Sequence, residues 1–171
     1  MREARIFRVH EFGPACMSVV PGPRGGDWLD DDIRAIKSTG VHLLVSMLTP
    51  DEQTEMNLIA EAERCHALGI EYLSVPVPDF GVPSDVAPFE DAVVHVVRTL
   101  LRDQSVAVHC RQSIGRSGLF TCAVLVAMGV PLEKAVTTTS EARGVPVPES
   151  PEQRTWLTAN AQRFGSIRRV P

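Results

Sequence analysis

Apolar positions along this chain alternate between two spacings. ARIFRVHEF (4–12) and ACMSVV (15–20) read as short strands joined at Gly13-Pro14, and PGPRGGD (21–27) reads as a loop. WLDDDIRAIKSTG (28–40) sets Leu29, Ile33 and Ile36 on one side at helical spacing, with Asp30 or Asp31 as N-cap and Gly40 as the stop. VHLLVS (41–46) is a buried strand. Residues 50–69 predict a helix with Leu58, Ala62 and Cys65 on a common face and Gly69 at its end. IEYLSV (70–75) is the next strand, and PVPDFGVPS (76–84) is a proline-rich loop.

The second half repeats the alternation. Residues 85–103 are a long amphipathic helix, with Val86, Phe89, Val93, Val97 and Leu100 recurring at helical spacing. SVAVH (105–109) is a short, strongly apolar strand. SGLFTCAVLVAMG (117–129) is a helix so apolar that it belongs in the core. Residues 131–144 and 150–164 predict two final helices. Strands alternating with helices in this way give an α/β three-layer sandwich, a central, mostly parallel sheet flanked by helices.

Composition narrows the class. A chain of 171 residues suits one domain, spanning 1–171, with a full hydrophobic core. Hydrophobic residues at 44% against charged residues at 22% exclude a disordered chain. A net charge of −4 argues against general nucleic-acid binding. Residues 1–14 contain no apolar signal-peptide core, and LFTCAVLVAMGV is too short to span a bilayer. Cys16, Cys65, Cys110 and Cys122 lack metal-ligand spacing, so no metal or cofactor is expected. Reduced thiols and a cytoplasmic location are expected.

One stretch concentrates reactive chemistry. VHCRQSIGRSG (108–118) joins the apolar strand to the core helix. In an α/β protein that junction binds anions, because loop amides and a helix N-terminus converge there. Gly115 and Gly118 let the backbone approach closely, and Arg116 supplies a planar fork for phosphate oxygens. The same donors favour the thiolate of Cys110. The cradle that binds a phosphate therefore also activates a nucleophile aimed at its phosphorus.

HCRQSIGRSG resembles the H-C-x5-R-[ST] signature of the cysteine-dependent protein tyrosine phosphatases, in the small dual-specificity branch. VSMLTPDEQ resembles that family's strand and following acidic segment, VPDFGVPS its general-acid loop, and ARGVPVPESPEQRTWL its late glutamine-bearing segment. The resemblance implies a phosphotyrosine protein phosphatase-like fold and a phosphatase with Cys110 as nucleophile, passing through a phosphocysteine. It implies that Arg116 binds phosphate and stabilises the transition state, that Ser117 supports the thiolate as leaving group, and that His109 orients the loop. Arg111, Gln112, Ser113, Ile114 and Gly115 would line the substrate phosphate. Arg111 and Gln112 would contribute backbone donors only. Asp79 would be the general acid; as a residue type it is equally an ordinary turn aspartate. Its rivals Asp85 and Asp91 belong to the next helix, near its cap and inside it. Gln153 resembles the glutamine that positions the hydrolytic water, and is otherwise a solvated helix residue. Arg143 matches an arginine that braces the loop. Cys65 and Cys122 are candidates for an oxidative disulfide with Cys110, and otherwise small core residues.

No segment resembles the phosphotyrosine-recognition loop of the large tyrosine-specific enzymes. That implies a shallower pocket taking phosphotyrosine, with phosphoserine and phosphothreonine beside it, on a phosphorylated protein or peptide. A phosphoinositide or other non-protein phosphomonoester is the alternative, disfavoured because Gln112, Ser113 and Ile114 include no lysine. A non-catalytic phosphoprotein-binding module would lack the cysteine, the arginine or the acid, and all three candidates are present. The late position of Cys110 argues against low-molecular-weight phosphatases and arsenate reductases. The Arg116-Ser117 pair argues against rhodanese-like sulfurtransferases. Neither nucleic acid nor stable membrane insertion is expected, and no oligomeric state is assigned.

Overall fold

The computed structural model describes residues 4–167. The expected domain over 1–171 thus includes residues 1–3 and 168–171, which lie outside the described residues. Five strands form one sheet in the order β1-β2-β5-β3-β4: β1 (Phe7–Phe12), β2 (Ala15–Val19), β3 (Val41–Ser46), β4 (Glu71–Ser74) and β5 (Ser105–His109). β2, β5, β3 and β4 run parallel, in registers such as Val19↔Val108, Ser46↔His109 and Ser46↔Ser74. β1 is the antiparallel exception, because the Gly13-Pro14 turn returns the chain directly beside it. Gly13 takes φ +62°, a left-handed conformation that glycine adopts without strain.

Among the described residues, seven α-helices flank the sheet: α1 (Leu29–Ser38), α2 (Pro50–Glu55), α3 (Glu61–Ala67), α4 (Val86–Leu100), α5 (Gly115–Ala127), α6 (Leu132–Arg143) and α7 (Pro151–Ile167). Strand alternation divides the core. Leu43, Val45, Val106 and Val108 face Phe89, Val93, Phe120, Leu157 and Phe164, while Leu44 and Ala107 face Leu29, Ile33, Ile36, Leu58 and Cys65. Every residue of α5 is buried, as its composition requires. Phe89 meets Phe120 and Trp156 edge to face, at 5.2 and 5.1 Å between centroids, and so ties α4, α5 and α7 together. Among the described residues, no helix is long and apolar enough to cross a membrane.

Two local expectations are corrected. The helix expected over 50–69 is broken into α2 and α3. The cause is tertiary: Gly25 lies so close that a Cβ would stand 2.0 Å from the Met56 carbonyl oxygen, and Gly26 N–H donates to Asn57 O at 3.1 Å. Asn57 turns to φ +55° there, a conformation its side chain tolerates. Neither Asp30 nor Asp31 caps α1. A 3-10 turn (Gly26–Trp28) leads into it, Trp28 occupies the cap position, and Asp30, Asp31 and Asp32 fall in the first turn. Carboxylates there still oppose the positive end of the helix dipole.

Candidate active site

The loop 110–114 leaves β5, which is hydrogen-bonded on both sides. Val20 N–H donates to Val108 O at 3.0 Å and Met47 N–H to His109 O at 2.9 Å. Cys110 therefore emerges from a fixed strand end into the first turn of α5. Its buried Sγ accepts from Ser113 N–H at 3.1 Å and lies 3.5 Å from Ser117 Oγ. Ser113 bends the loop with φ +58°, and its hydroxyl donates to Val20 O. Arg143 braces the outside, donating to Ser113 O at 2.5 Å and Gln112 O at 3.4 Å. The Arg111 and Gln112 side chains face solvent, Arg111 paired with Glu55 at 2.7 Å.

Arg116 is 1% exposed although charged. Its partners explain how. Nη1 and Nη2 clamp the Glu52 carboxylate at 2.6 and 2.9 Å, and Nη1 also reaches Val77 O at 2.9 Å and Met47 O at 3.3 Å. Nη2 lies 3.0 Å from Asp79 Oδ1. Burial alone would weaken its basicity; the hydrogen bonds to Glu52 and the charges of Cys110, Glu52 and Asp79 hold it above the ordinary value. Glu52 shifts the other way: burial opposes ionisation, yet Arg116 and the Thr49 N–H hold its carboxyl below the usual range. Arg116 Nε is buried with no hydrogen-bond partner among the described residues. An arginine fixed at one edge and unpaired at Nε is prepared to bind an oxyanion.

His109 is fully buried, with Nε2 2.8 Å from Oε1 of the equally buried Glu61, an ion-pair distance without hydrogen-bond alignment. Tyr72 donates to Glu61 Oε2 at 3.1 Å. Burial, with the Glu61 charge, pushes that phenol up.

Asp79 lies in a tight turn where Gly81 N–H donates to Pro78 O at 2.9 Å and Asp79 Oδ1 accepts from Phe80 N–H at 3.1 Å. The side chain of Asp79 is 44% exposed, so the carboxyl overhangs the cradle and also meets water. Asp85 instead caps α4, accepting from Ala87 N–H at 3.0 Å, and Asp91 lies within that helix. Gln153 is wholly buried. A Cβ on Gly115 would stand 3.0 Å from its Oε1, and its Nε2 donates to Gly81 O at 3.0 Å. The half-buried Ile114 occupies the α5 cap position.

The structure thus gathers Cys110, Ser113, Arg116, Ser117, Asp79 and Gln153 in one place. Cys65 and Cys122 are buried free thiols. Burial and the Glu61 charge push Cys65 up to about 12, and burial pushes Cys122 up to about 12 against the Thr139 hydrogen bond, so both remain protonated near neutral pH. Sequence reasoning missed Glu52 and Glu61. Glu52 carried a signal: Thr49-Pro-Asp-Glu is a capping box, and Thr49 N–H donates to Glu52 Oε2 at 3.0 Å. Glu61 stands three residues after Leu58 and four before Cys65, on the buried face.

The family model described as "Tc-R-P: Polymorphic toxin system, DSP-PTPase phosphatase" matches residues 20–130, more than half of the chain. The chain belongs to this family. This DSP-PTPase phosphatase has similar solved structures with the same fold. A kinase-associated phosphatase carrying serine for its catalytic-site cysteine superposes with TM-score 0.82 at 16% identity, covering 96% of this chain and 98% of its own. Tk-PTP in its active form gives TM-score 0.70 at 25% identity, with coverages of 92% and 97%. PTPMT1 in complex with PI(5)P gives 0.73 at 18%, with coverages of 92% and 96%. No curated protein matches the chain.

Proposed function

We propose that this phosphatase is one domain hydrolysing phosphotyrosine, with phosphoserine and phosphothreonine as further substrates, on cytoplasmic phosphoproteins through a phosphocysteine. The observation that carries the proposal is the pairing of a buried thiol with a buried, half-committed guanidinium. Cys110 Sγ accepts the Ser113 amide, and Arg116 keeps Nε unpaired. The Cys110 thiolate attacks phosphorus, and the S–P bond forms as the P–O bond to the leaving group breaks. The loop amides from Arg111 to Gly115 and the Arg116 fork take the equatorial oxygens. A substrate dianion competes with the Asp79 carboxylate for Arg116 Nη2, and that conflict is relieved when Asp79 carries a proton. The protonated carboxyl is the form that gives its proton to the leaving oxygen. In the second step, Asp79 takes a proton from water, water attacks phosphorus, and the S–P bond breaks with Ser117 supporting the departing thiolate. Gln153 is assigned to water positioning in that step, and His109, backed by Glu61, orients the loop.

Protein substrates are favoured over phosphoinositides by the charges at the rim. Arg111 is already matched by Glu55, and Ser113 is turned inward to Val20, which leaves few cations for further headgroup phosphates. The test is hydrolysis of p-nitrophenyl phosphate with chelator present, with and without vanadate, followed by phosphopeptides beside phosphoinositides. Vanadate-sensitive turnover and a preference for phosphopeptides are expected. Tight phosphopeptide binding without turnover would mean a binding module, and a lipid preference would overturn the substrate assignment.

A further inference from the structure

The Asp79 turn has little to hold it from within. Its internal bonds are the Gly81-to-Pro78 hydrogen bond and the Phe80 amide on Asp79 itself. Phe80 sits at φ +59° with its ring 56% exposed, a conformation that costs a residue with a Cβ about 1–2 kcal/mol. Something outside the turn must offset that cost. Two hydrogen bonds from the start of α7 do so: Ser150 Oγ donates to Phe80 O at 3.1 Å, and Gln153 Nε2 donates to Gly81 O at 3.0 Å.

The same two side chains build the N-terminus of α7. Ser150 Oγ accepts from Gln153 N–H at 3.1 Å, and Gln153 Oε1 accepts from Ser150 N–H at 3.2 Å, a reciprocal capping box. The Ser150 hydroxyl therefore turns one lone pair to the helix and its single proton to the acid loop. The Gln153 amide uses one Nε2 hydrogen on Gly81 O and one Oε1 lone pair on Ser150 N–H, and keeps a second donor and a second lone pair.

We propose that Ser150 is a positioning residue for the acid-requiring first step, clasping the turn 78–81 so that Asp79 stays over Arg116; this rests on the assignment of Asp79 as general acid. In the first step the clasp acts through Asp79, because Ser150 contacts the Phe80 carbonyl and not the reacting atoms; its bonds to Gln153 bear on the second step.

The experiment is a double-mutant cycle on kcat/KM, which reports the first irreversible step, using p-nitrophenyl phosphate for a good leaving group and phenyl phosphate for a poor one. Ser150→Ala should lower kcat/KM for phenyl phosphate by roughly 5- to 10-fold, the loss of about one net hydrogen bond, with a much smaller effect on p-nitrophenyl phosphate. Ser150→Thr, which keeps both the hydroxyl and the cap, should restore most of the loss. In the Asp79→Asn background, Ser150→Ala should cost nothing further. Its urea midpoint will fall because the cap is lost, and a purely structural role would slow both substrates equally and add to Asp79→Asn. Equal or additive losses overturn the inference alone. If Asp79→Asn is itself indifferent to the leaving group, the acid assignment falls and the clasp with it.

Discussion

Removing Glu52 should leave Arg116 buried without its main counter-charge. Glu52→Ala deletes both short contacts to the guanidinium and the acceptor for Thr49 N–H. Breaking a buried ion pair on one side costs about 3–5 kcal/mol. Arg116 keeps Val77 O, Met47 O and Asp79, so the lower end, about 3 kcal/mol, is expected. For a chain of this size that is a fall in Tm of roughly 6–12 °C. Urea unfolding at neutral pH measures it. The pH dependence gives a second reading. Glu52 has a folded pKa below its ordinary value of 4.5, so its stabilisation is full above that value and is lost as pH falls through the folded value. The wild type should lose this increment below about pH 4.5, and Glu52→Ala, already without it, should show a shallower acid limb. Glu52→Leu combined with Arg116→Met replaces the pair by apolar groups and should recover most of the stability with no activity. A loss under about 1 kcal/mol for Glu52→Ala, or a double variant no more stable than the single, would refute the claim that the pair is a mutually dependent buried unit.

Two further outcomes test the chemistry. Cys110→Ser should abolish turnover while leaving the fold and oxyanion binding largely intact, because a hydroxyl does not ionise near neutral pH; normal activity in that variant would remove Cys110 as nucleophile. Asp79→Asn should lower kcat/KM by roughly 10²–10⁴-fold, less for good leaving groups, and should lose the basic limb of the pH–rate profile, so a retained basic limb would send the search to Asp85.

The parts of this site that were legible in sequence are those built from neighbours. Cys110, the glycines and Arg116 share one loop, and the apolar run after them could only be a core helix. What escaped was set by contacts distant in the chain. Glu52 meets Arg116 across 64 positions, and Ser150 meets Phe80 across 70. The break between α2 and α3 was hidden for the same reason: QTEMNLIAEAE reads as continuous helix, and only the backbone of Gly25 and Gly26, pressed on Met56 and Asn57, interrupts it. Asp79 was singled out by the resemblance of VPDFGVPS to an acid loop, but its contact with Arg116 required the fold.

The burial of Arg116 also bears on how substrate arrives. Its charge is screened from solvent and matched by Glu52 and Asp79, while Arg111 at the rim is matched by Glu55 and Arg24 by Asp32. These three neutralised cations add little attractive field, Arg143 behind the loop donates to backbone carbonyls, and the chain as a whole carries −4. The proposed phosphopeptide substrates would thus gain little long-range steering from Arg116, whose fork acts on contact. Added salt screens the overall repulsion, so kcat/KM for such peptides should hold or rise slightly between low and physiological ionic strength, whereas a steep fall would reveal an unpaired basic field around the entrance.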